Sequence, residues 1–405
     1  MWLVLPVGLV PNLKPSGLPR MVAILTGGIV AAMVGQWIWI ERQGTSPEAL
    51  AGWFALWGYD PMSPKGWQPL TALFVHTDFQ HALVNLTGLW LFGWWAERAL
   101  GWQKFAVTAM LAHIIALLLQ QRAWRLQGLG DLPPLVGASS LVAFAMAICF
   151  WRFPHAGVRF RWVRRWQGWS EEFCIPVRWL IGLWVAWQLG ATLQQWLTDT
   201  LPTPTIAHLT SFLLGTCAAF AWGLQRIAQR EKWQAEAKSK EQEGRLKEAA
   251  KLWRRLTESE PLNPSLWLSL ARTLLKANQI AAARQALQKA LTLGHWDEAA
   301  VQEARLLLAV ASVTLLPKEL LFSLAEQMER SRADADALLL FQHLAEVAQF
   351  SRAPQALLKV AALYWRLKDK ERARQTLHRF WLRYGNTPWR QEAALLAAQL
   401  LGRGE

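Results

Sequence analysis

The chain has 405 residues; 53% of them are hydrophobic, only 18% are charged, and 27 are tryptophan. This composition is too apolar for an ordinary soluble protein of this length, and it indicates a polytopic membrane protein with a soluble part that carries the charge. The net charge of +14 would suit nucleic acid or an anionic membrane surface. Because no nucleic-acid motif accompanies it, the sequence favours the membrane and predicts no nucleic-acid partner.

The N-terminal stretch MWLVLPVGLVP is apolar, but it lacks a basic region and is too short to cross a bilayer. It is therefore predicted to be neither a cleavable signal nor a span. The three cysteines stand in apolar segments without a CxxC pair, at Cys149, Cys174 and Cys217. This arrangement predicts core packing rather than metal binding or redox chemistry.

Six apolar segments within residues 1–226 are predicted to be membrane-spanning helices. They lie near 21–40, 80–97, 104–120, 136–151, 174–194 and 206–224. Each has, or nearly has, the ~20 residues that a crossing needs. The loop at about 41–75 carries apolar and aromatic residues at near-helical spacing, so it is predicted to dip into the outer interface of the membrane.

Basic residues set the predicted orientation. With the N-terminus inside, the inner flanks and loops carry Lys14, Arg20, Arg98, Lys104, Arg152, Arg159, Arg161, Arg164, Arg165, Arg178 and Arg226. The outer loops carry only Arg42, Lys65, Arg122 and Arg125. This excess predicts a multi-pass protein of a bacterial plasma membrane with both termini in the cytoplasm. The loop RFRWVRRWQGW, 159–169, is predicted to lie at the inner headgroups.

After residue 226 the pattern changes to charged, amphipathic helices. Helix-packing positions recur after 34 residues: Ala249, Trp253 and Leu256 return as Ala283, Leu287 and Ala290. Ahead of the second set, Trp267, Leu270, Ala271 and Leu274 stand where a first repeat helix packs. The period and the small residues at helix crossings resemble tetratricopeptide repeats.

A third repeat fits Leu357, Ala361, Tyr364, Ala373, Leu377 and Phe380. It does not keep the 34-residue phase, so 298–353 is predicted to be irregular helical filler. The predicted organisation is a membrane domain at 1–226 and a cytoplasmic helical-repeat domain at 227–405. The repeats predict either a helical bundle without a ligand or a concave groove that docks a cytoplasmic peptide or protein.

Several polar side chains fall inside the predicted spans, where they are costly and therefore candidates for function. His81 and Asn85 lie one helical turn apart on the second span. Ser139 and His208 stand near the outer ends of the fourth and sixth spans, and His76 precedes the second span. Each alone has a packing explanation, but the predicted topology brings them to one side of the membrane.

The ordered strings HTDFQHALVN, ERALG, GAS and AHLTSFLLG resemble the signature of rhomboid intramembrane serine proteases over roughly residues 66–224. The resemblance implies an all-α fold, a six-transmembrane-helix rhomboid-like bundle, to which the soluble tetratricopeptide-like domain is appended. It implies Ser139 as nucleophile and His208 as general base, a dyad with no acidic third member in the spans. The substrates would be single-span membrane proteins, cut in or near the membrane.

The resemblance also implies an oxyanion site made by His81, Asn85 and the backbone N–H of Ser139. Gly137 would let the chain make the turn that precedes Ser139. Structural support is implied for His76, Glu97, Ser140, Ser211 and Gly215. No metal and no organic cofactor are implied.

The sequence departs from the family pattern at four places. Ser140 and Ser211 stand where the family usually has glycine, and both remain small. Ala143 replaces an aromatic residue that stacks on the histidine, with Phe144 one place later. The outer-loop Trp-Arg pair is Trp67–Gln68. Because Ser140 and Ser211 are small, the fourth and sixth helices can still approach closely, whereas Ala143 and Gln68 leave room for weak or narrow activity.

The main alternative is a rhomboid-like pseudoprotease that binds transmembrane helices without cutting them, while the repeats recruit partners. A membrane-tethered scaffold in which the repeats do everything leaves the polar residues unexplained. Short aspartyl-protease-like motifs occur at 128–131 (GLGD) and 59–60 (YD), but both fall in loops. A metalloprotease would need HExxH or an equivalent, which the chain lacks.

Overall fold

The computed structural model describes residues 2–10, 17–43, 47–128, 132–164, 170–198, 203–294, 296–310, 316–347 and 349–401. The chain divides into two compact units, Met1–Gln229 and Arg230–Glu405. Each unit has its own hydrophobic core.

The helices of the first unit are α1 (Arg20–Gln43), α2 (Pro47–Trp57), α3 (Gln68–Thr71), α4 (Phe79–Gly88), α5 (Trp94–Leu100), α6 (Trp102–Leu126), α7 (Ser139–Arg152), α8 (Val177–Leu197) and α9 (Thr205–Ala221). A π-helical turn, Leu89–Gly93, joins α4 to α5. Most of the residues in all six predicted spans lie in these helices. Among the described residues, α1 and α6 are long and apolar enough to cross a membrane, and α9 with the following helix would be a third span if that bent pair is counted as one. A six-span count therefore stays a prediction.

Helix α7 lies at the centre of the first unit and is buried on nearly every side. Its closest neighbour is α9, which presents Ser211, Gly215 and Ala219 at intervals of four residues. A Cβ atom on Gly215 would lie 2.7 Å from the Phe144 carbonyl oxygen, so the two backbones touch there. Small residues on both helices thus set the spacing between α7 and α9.

The described residues are mostly helical, as predicted, but they also include a small antiparallel sheet that the all-α prediction did not contain. Its strands are β1 (Trp2–Val10), β2 (Gly157–Arg164) and β3 (Ser170–Pro176), in the order β1-β2-β3. The sequence GVRFRWVR alternates residue types with period two, a strand pattern that the loop interpretation of RFRWVRRWQGW overlooked. Phe160 of β2 stacks on Phe173 of β3 with ring centroids 5.4 Å apart. Residues 165–169 lie outside the described part of the chain.

The predicted fifth span is also shifted, because residues 174–176 belong to β3 and α8 begins only after Pro176. The prediction that all three cysteines are core residues was wrong for two of them: Cys149 is buried, whereas Cys174 and Cys217 are exposed. Cys174 lies on the sheet and Cys217 on an outward side of α9, positions that hydrophobicity alone did not distinguish.

The linking helix α10 (Leu224–Gln242) leads into the second unit. Its further helices are α11 (Leu246–Ser259), α12 (Pro264–Lys276), α13 (Ile280–Thr292), α14 (Glu298–Val310), α15 (Lys318–Arg330), α16 (Asp334–Glu346), α17 (Ala353–Arg366), α18 (Lys370–Tyr384) and α19 (Arg390–Leu401). Helix pairs such as α12 with α13, α15 with α16 and α17 with α18 pack against each other around a core that includes Trp253, Phe322 and Phe341.

The segment 298–353, predicted to be irregular helical filler, is helical, but its described part is regular and forms α14, α15 and α16. Their buried residues recur at helical spacing, as in Ala300, Ala304 and Leu307 of α14. The connections between these helices differ in length from those of the first repeats, which breaks the 34-residue phase without breaking the helices. Residues 311–315 lie outside the described residues.

Candidate active site

Ser139 is the first residue of α7 and is half-buried. Just before it, Gly137 has φ 106°, a backbone conformation that favours glycine, and its N–H donates to the carbonyl of Ala72 at 2.8 Å. This turn leads the chain into α7 with the serine at the helix N-terminus. The Ser139 Oγ lies 2.7 Å from Nε2 of His208.

His208 is held by contacts from two further helices. The N–H of its neighbour Ala207 donates to Gln120 Oε1 on α6 at 2.9 Å, which fixes the start of α9. The Nδ1 of His208 lies 3.2 Å from Gln188 Oε1 on α8. The ring of Trp184, also on α8, has its centroid 6.3 Å from that of His208. The structure therefore brings α8 to the histidine.

Gln188 and Trp184 were missed at the sequence level. A usable signal was present, because Gln188 interrupts the apolar run WVAWQLG one helical turn after Trp184. At the position where the resemblance implies an aromatic residue, Ala143 is fully buried, and the adjacent Phe144 packs on Phe105 with centroids 6.3 Å apart. The aromatic neighbour of His208 thus comes from α8 instead of α7.

His81 and Asn85 lie on the face of α4 that meets Gly137. A Cβ atom on Gly137 would lie 2.8 Å from His81 Nε2 and 3.3 Å from Asn85 Nδ2. Asn85 is 3% exposed, and its Nδ2 has no hydrogen-bond partner among the described residues. The N–H of Ser139 lies in the first turn of α7, where a helix offers no internal acceptor. Two polar hydrogen-bond donors, Asn85 Nδ2 and the Ser139 N–H, are therefore available beside the serine.

The start of α4 fixes His81. Asp78 caps the helix, with its Oδ1 accepting from the His81 N–H at 2.8 Å. The Thr77 hydroxyl donates to Asp78 Oδ2 at 2.8 Å and lies 3.1 Å from His81 Nδ1. Since the Thr77 hydrogen is used by Asp78, the Thr77 oxygen accepts from His81 Nδ1–H.

His76 is fully buried beside this group. Its Nδ1 lies 3.2 Å from the Phe74 carbonyl, and its ring meets that of His81 edge-on with centroids 4.9 Å apart. Burial lowers the pKa of His76 to about 4, so its ring is neutral at pH 7. His76 thus ties the loop before α4 to His81 without contacting Ser139 through any hydrogen bond described.

The remaining predicted support residues occupy structural positions. The Glu97 carboxylate, 5% exposed, accepts from the Val22 N–H at 3.0 Å near the start of α1. Ser211 and Gly215 lie in the seam between α7 and α9. Gln68 is fully buried: its Nε2 donates to the carbonyl of Ala55 at 2.9 Å, and its Oε1 accepts from the Lys65 N–H at 2.9 Å. Gln68 therefore ties α3 to α2 and to the loop between them.

The residues of the aspartyl-like YD motif are used in the fold. The buried Tyr59 donates to Gln121 Oε1 at 2.6 Å, and Asp60 accepts from the N–H groups of Met62 and Ser63 in a turn. Asp131 of GLGD lies outside the described residues. Within the described ranges, no group of three His, Cys, Asp or Glu side chains could hold a metal ion.

Ser140 is paired with a histidine that the sequence analysis did not consider. His113 of α6 is 1% exposed; its Nε2 donates to the Pro69 carbonyl at 2.9 Å, so its Nδ1 accepts from the Ser140 hydroxyl at 2.5 Å. The serine that replaces the usual glycine is thus satisfied by a buried partner. The pair ties the N-terminus of α7 to α6 and α3.

We expect Ser140→Ala to lower the free energy of unfolding by about 1–3 kcal/mol, because it leaves a buried imidazole nitrogen unpaired. The double variant Ser140→Ala/His113→Leu should cost less than the sum of the two single variants, with a coupling of roughly 0.5–3 kcal/mol. Denaturant unfolding in detergent micelles measures all three. Strict additivity would mean that the two side chains do not depend on each other.

Comparison with known proteins agrees with the resemblance. Residues 63–225 match the rhomboid domain, and residues 241–308 match the tetratricopeptide repeat. The rhomboid protease GlpG of Salmonella paratyphi A (strain ATCC 9150 / SARB42) is 24% identical over 188 residues, which cover 45% of this chain and 58% of that protein. The chain thus matches less than two thirds of that relative's length. It contains a rhomboid domain followed by a tetratricopeptide-repeat segment.

Proposed function

We propose that this protein is an intramembrane serine endopeptidase that cuts single-span membrane proteins in or near their transmembrane segment. The observation that carries the proposal is the 2.7 Å contact between Ser139 Oγ and His208 Nε2. A serine hydroxyl is a weak nucleophile until a neighbouring base takes its proton, and this contact supplies the base. The match to the rhomboid domain and the similarity to the rhomboid protease GlpG support the same activity.

In the proposed reaction, Ser139 Oγ attacks the scissile carbonyl while His208 Nε2 takes the hydroxyl proton. The tetrahedral oxyanion then accepts hydrogen bonds from the Ser139 N–H and from Asn85 Nδ2. His208 returns the proton to the leaving amine, and an acyl ester forms on Ser139. Water, deprotonated by His208, hydrolyses the ester and restores the free serine.

The hydrogen bonds around His81 determine in which protonation state it can donate to the oxyanion. With its Nδ1–H donated to Thr77, a neutral His81 presents an unprotonated Nε2 toward Gly137 and cannot donate there. It donates to an oxyanion only as an imidazolium. Asn85 and the Ser139 backbone are therefore the donors that do not depend on the protonation of His81.

Replacing Asn85 with alanine is expected to lower kcat by about 10²- to 10³-fold with little change in KM, because an oxyanion donor acts in the transition state. Steady-state cleavage of a single-span reporter in detergent checks this. The matched control is Gln80→Ala, an exposed amide on the same helix, which should leave both constants unchanged. An Asn85→Ala enzyme with unaltered kcat would remove Asn85 from the site.

The proposed setting is an integral membrane protein of a bacterial plasma membrane, with both termini in the cytoplasm and the Ser139–His208 site toward the outer face. Six spans within 1–226 and a cytoplasmic repeat domain at 227–405 belong to this proposal. Substrate helices should unwind easily, since an intact helix keeps its carbonyls hydrogen-bonded. The repeat domain would dock a cytoplasmic peptide or protein. No cofactor is involved.

The competing function is a rhomboid-like pseudoprotease that binds transmembrane helices, with the repeats recruiting partners. The departures from the family pattern at Ala143 and Gln68 favour it. Trp184 stands beside His208 as a ring neighbour from another helix, which weakens the argument from Ala143.

The experiment that separates the two functions is cleavage of single-span reporters by the full chain in proteoliposomes. The reporters should carry small, helix-weakening residues at the outer membrane boundary. The protease predicts two product fragments from the wild type. Reporter helices that crosslink to a well-folded wild type and are never cut would establish the pseudoprotease instead.

A further inference from the structure

Helix α8 has one polar residue among its buried side chains, Gln188. Its buried side chains are Val177, Ile181 and Gln188, while large apolar residues such as Trp179 and Trp187 are exposed. A buried amide costs free energy unless it is hydrogen-bonded, most of all in a membrane-embedded helix. The side-chain partner of Gln188 is His208.

The atoms in this contact determine where the imidazole proton lies. Gln188 presents its carbonyl oxygen to Nδ1 of His208 at 3.2 Å, and an amide oxygen only accepts hydrogen bonds. Nδ1 therefore carries the proton. The lone pair of the neutral ring is then on Nε2, which is the atom 2.7 Å from Ser139 Oγ. This is the tautomer that a base for Ser139 requires.

Two further residues of α8 extend the same face, one turn before and one turn after Gln188. The ring of Trp184 neighbours those of both His208 and Phe212, with centroid distances of 6.3 and 6.1 Å. The Thr192 hydroxyl lies 2.8 Å from the hydroxyl of Thr205, the first residue of α9. The stripe 184–188–192 thus fixes both the ring and the helix that bears it.

We propose that Gln188 is a positioning residue that sets the tautomer and the orientation of His208, with Trp184 as the packing partner of the ring. This inference rests on the proposed protease function. It assigns to α8 the support that the family resemblance places at position 143, where this chain has alanine. The Gln188 acceptor is neutral. It therefore orients the imidazole of His208 without stabilising the protonated ring as the negative charge of a carboxylate would.

The test compares Gln188→Leu and Gln188→Glu with wild type in the reporter assay. The leucine variant keeps the volume and removes the acceptor, so kcat should fall about tenfold or more while KM changes little, as for a lost hydrogen bond in the transition state. The glutamate variant restores an acceptor and adds charge. It should keep activity and move the acidic limb of the kcat pH profile to higher pH, because a carboxylate favours protonation of the adjacent imidazole.

The matched control is Gln194→Leu, an exposed glutamine on the same helix, which should retain the wild-type kcat and pH profile. At position 184, phenylalanine should restore most of the activity that alanine loses, because an aromatic ring can still pack on His208. Thermal unfolding of each variant separates a folding defect from a loss of turnover.

The outcomes distinguish this inference from the proposed function. A folded wild type that never cuts any reporter overturns both. A wild type that cuts, with Gln188→Leu at the wild-type rate and Gln188→Glu at the wild-type pH profile, overturns the positioning role alone. If Gln188→Leu fails to fold, the pH profile of Gln188→Glu decides, since unfolding does not shift its acidic limb upward.

Discussion

Replacing Ser139 or His208 with alanine is expected to abolish reporter cleavage, with a fall in kcat on the order of 10⁴-fold or more. The two side chains act as one unit, in which the hydroxyl attacks only as the imidazole takes its proton. The double variant should therefore be no slower than either single variant. Cleavage by purified full-length protein, measured by fragment appearance over hours, gives the three rates.

Matched controls exist in the same unit. Ser63 and His155 are exposed, and neither belongs to the proposed site. The Ser63→Ala and His155→Ala variants should therefore cut at the wild-type rate. Multiplicative losses in the Ser139/His208 double variant would show that the two residues contribute independently. Substantial activity in either single variant would remove that residue from the chemistry.

The second large effect is expected at Gly215. A Cβ atom there would lie 2.7 Å from the Phe144 carbonyl and 2.9 Å from the Ala147 Cβ, both on α7, so Gly215→Ala must push α9 away from α7. Overpacking of this kind costs about 1–3 kcal/mol. It also separates Ser139 from His208, and a displacement of a few tenths of an ångström to 1 Å at reacting atoms costs up to roughly 10²-fold in rate.

Gly190→Ala is the control for Gly215→Ala. Gly190 lies on α8, and a Cβ atom on it would meet nothing within 4 Å. Since alanine favours helix, this variant should be as stable as wild type or up to about 1 kcal/mol more stable. Thermal unfolding and kcat are measured on both. A Gly215→Ala protein with wild-type stability and turnover would contradict the close contact between α7 and α9.

Sequence patterns predicted the helices of the first unit because apolar runs of this length have few other structures available. They also selected Ser139 and His208, which the structure brings together, because polar groups in apolar helices stand out against their surroundings. The functional roles of these residues remain predictions. The sheet was missed because arginine and tryptophan in β2 resemble a membrane-surface loop in composition, and only their alternation indicates a strand.

The contacts around the site were harder to foresee. His113 and Ser140 are 27 residues apart, and Gln188 and His208 are 20 apart. No local period relates such positions, so only the packing of α6, α7, α8 and α9 shows that they pair. In the second unit, the 34-residue phase found the first repeats, whereas the third was found from its helix-packing positions alone, because the phase cannot follow helices whose connections change length. A search by helical spacing alone would have found α14 to α16.

The most direct test of the account is to identify the residue that reacts with a fluorophosphonate, which labels a serine only when a neighbouring base activates it. The full-length wild type in detergent is treated with the reagent, digested and mapped by mass spectrometry, in parallel with His208→Ala. We expect the adduct on Ser139 in the wild type and none in the histidine variant. Two results would contradict the assignment of Ser139 as the nucleophile: a folded wild type without any adduct, or an adduct on another serine such as Ser140.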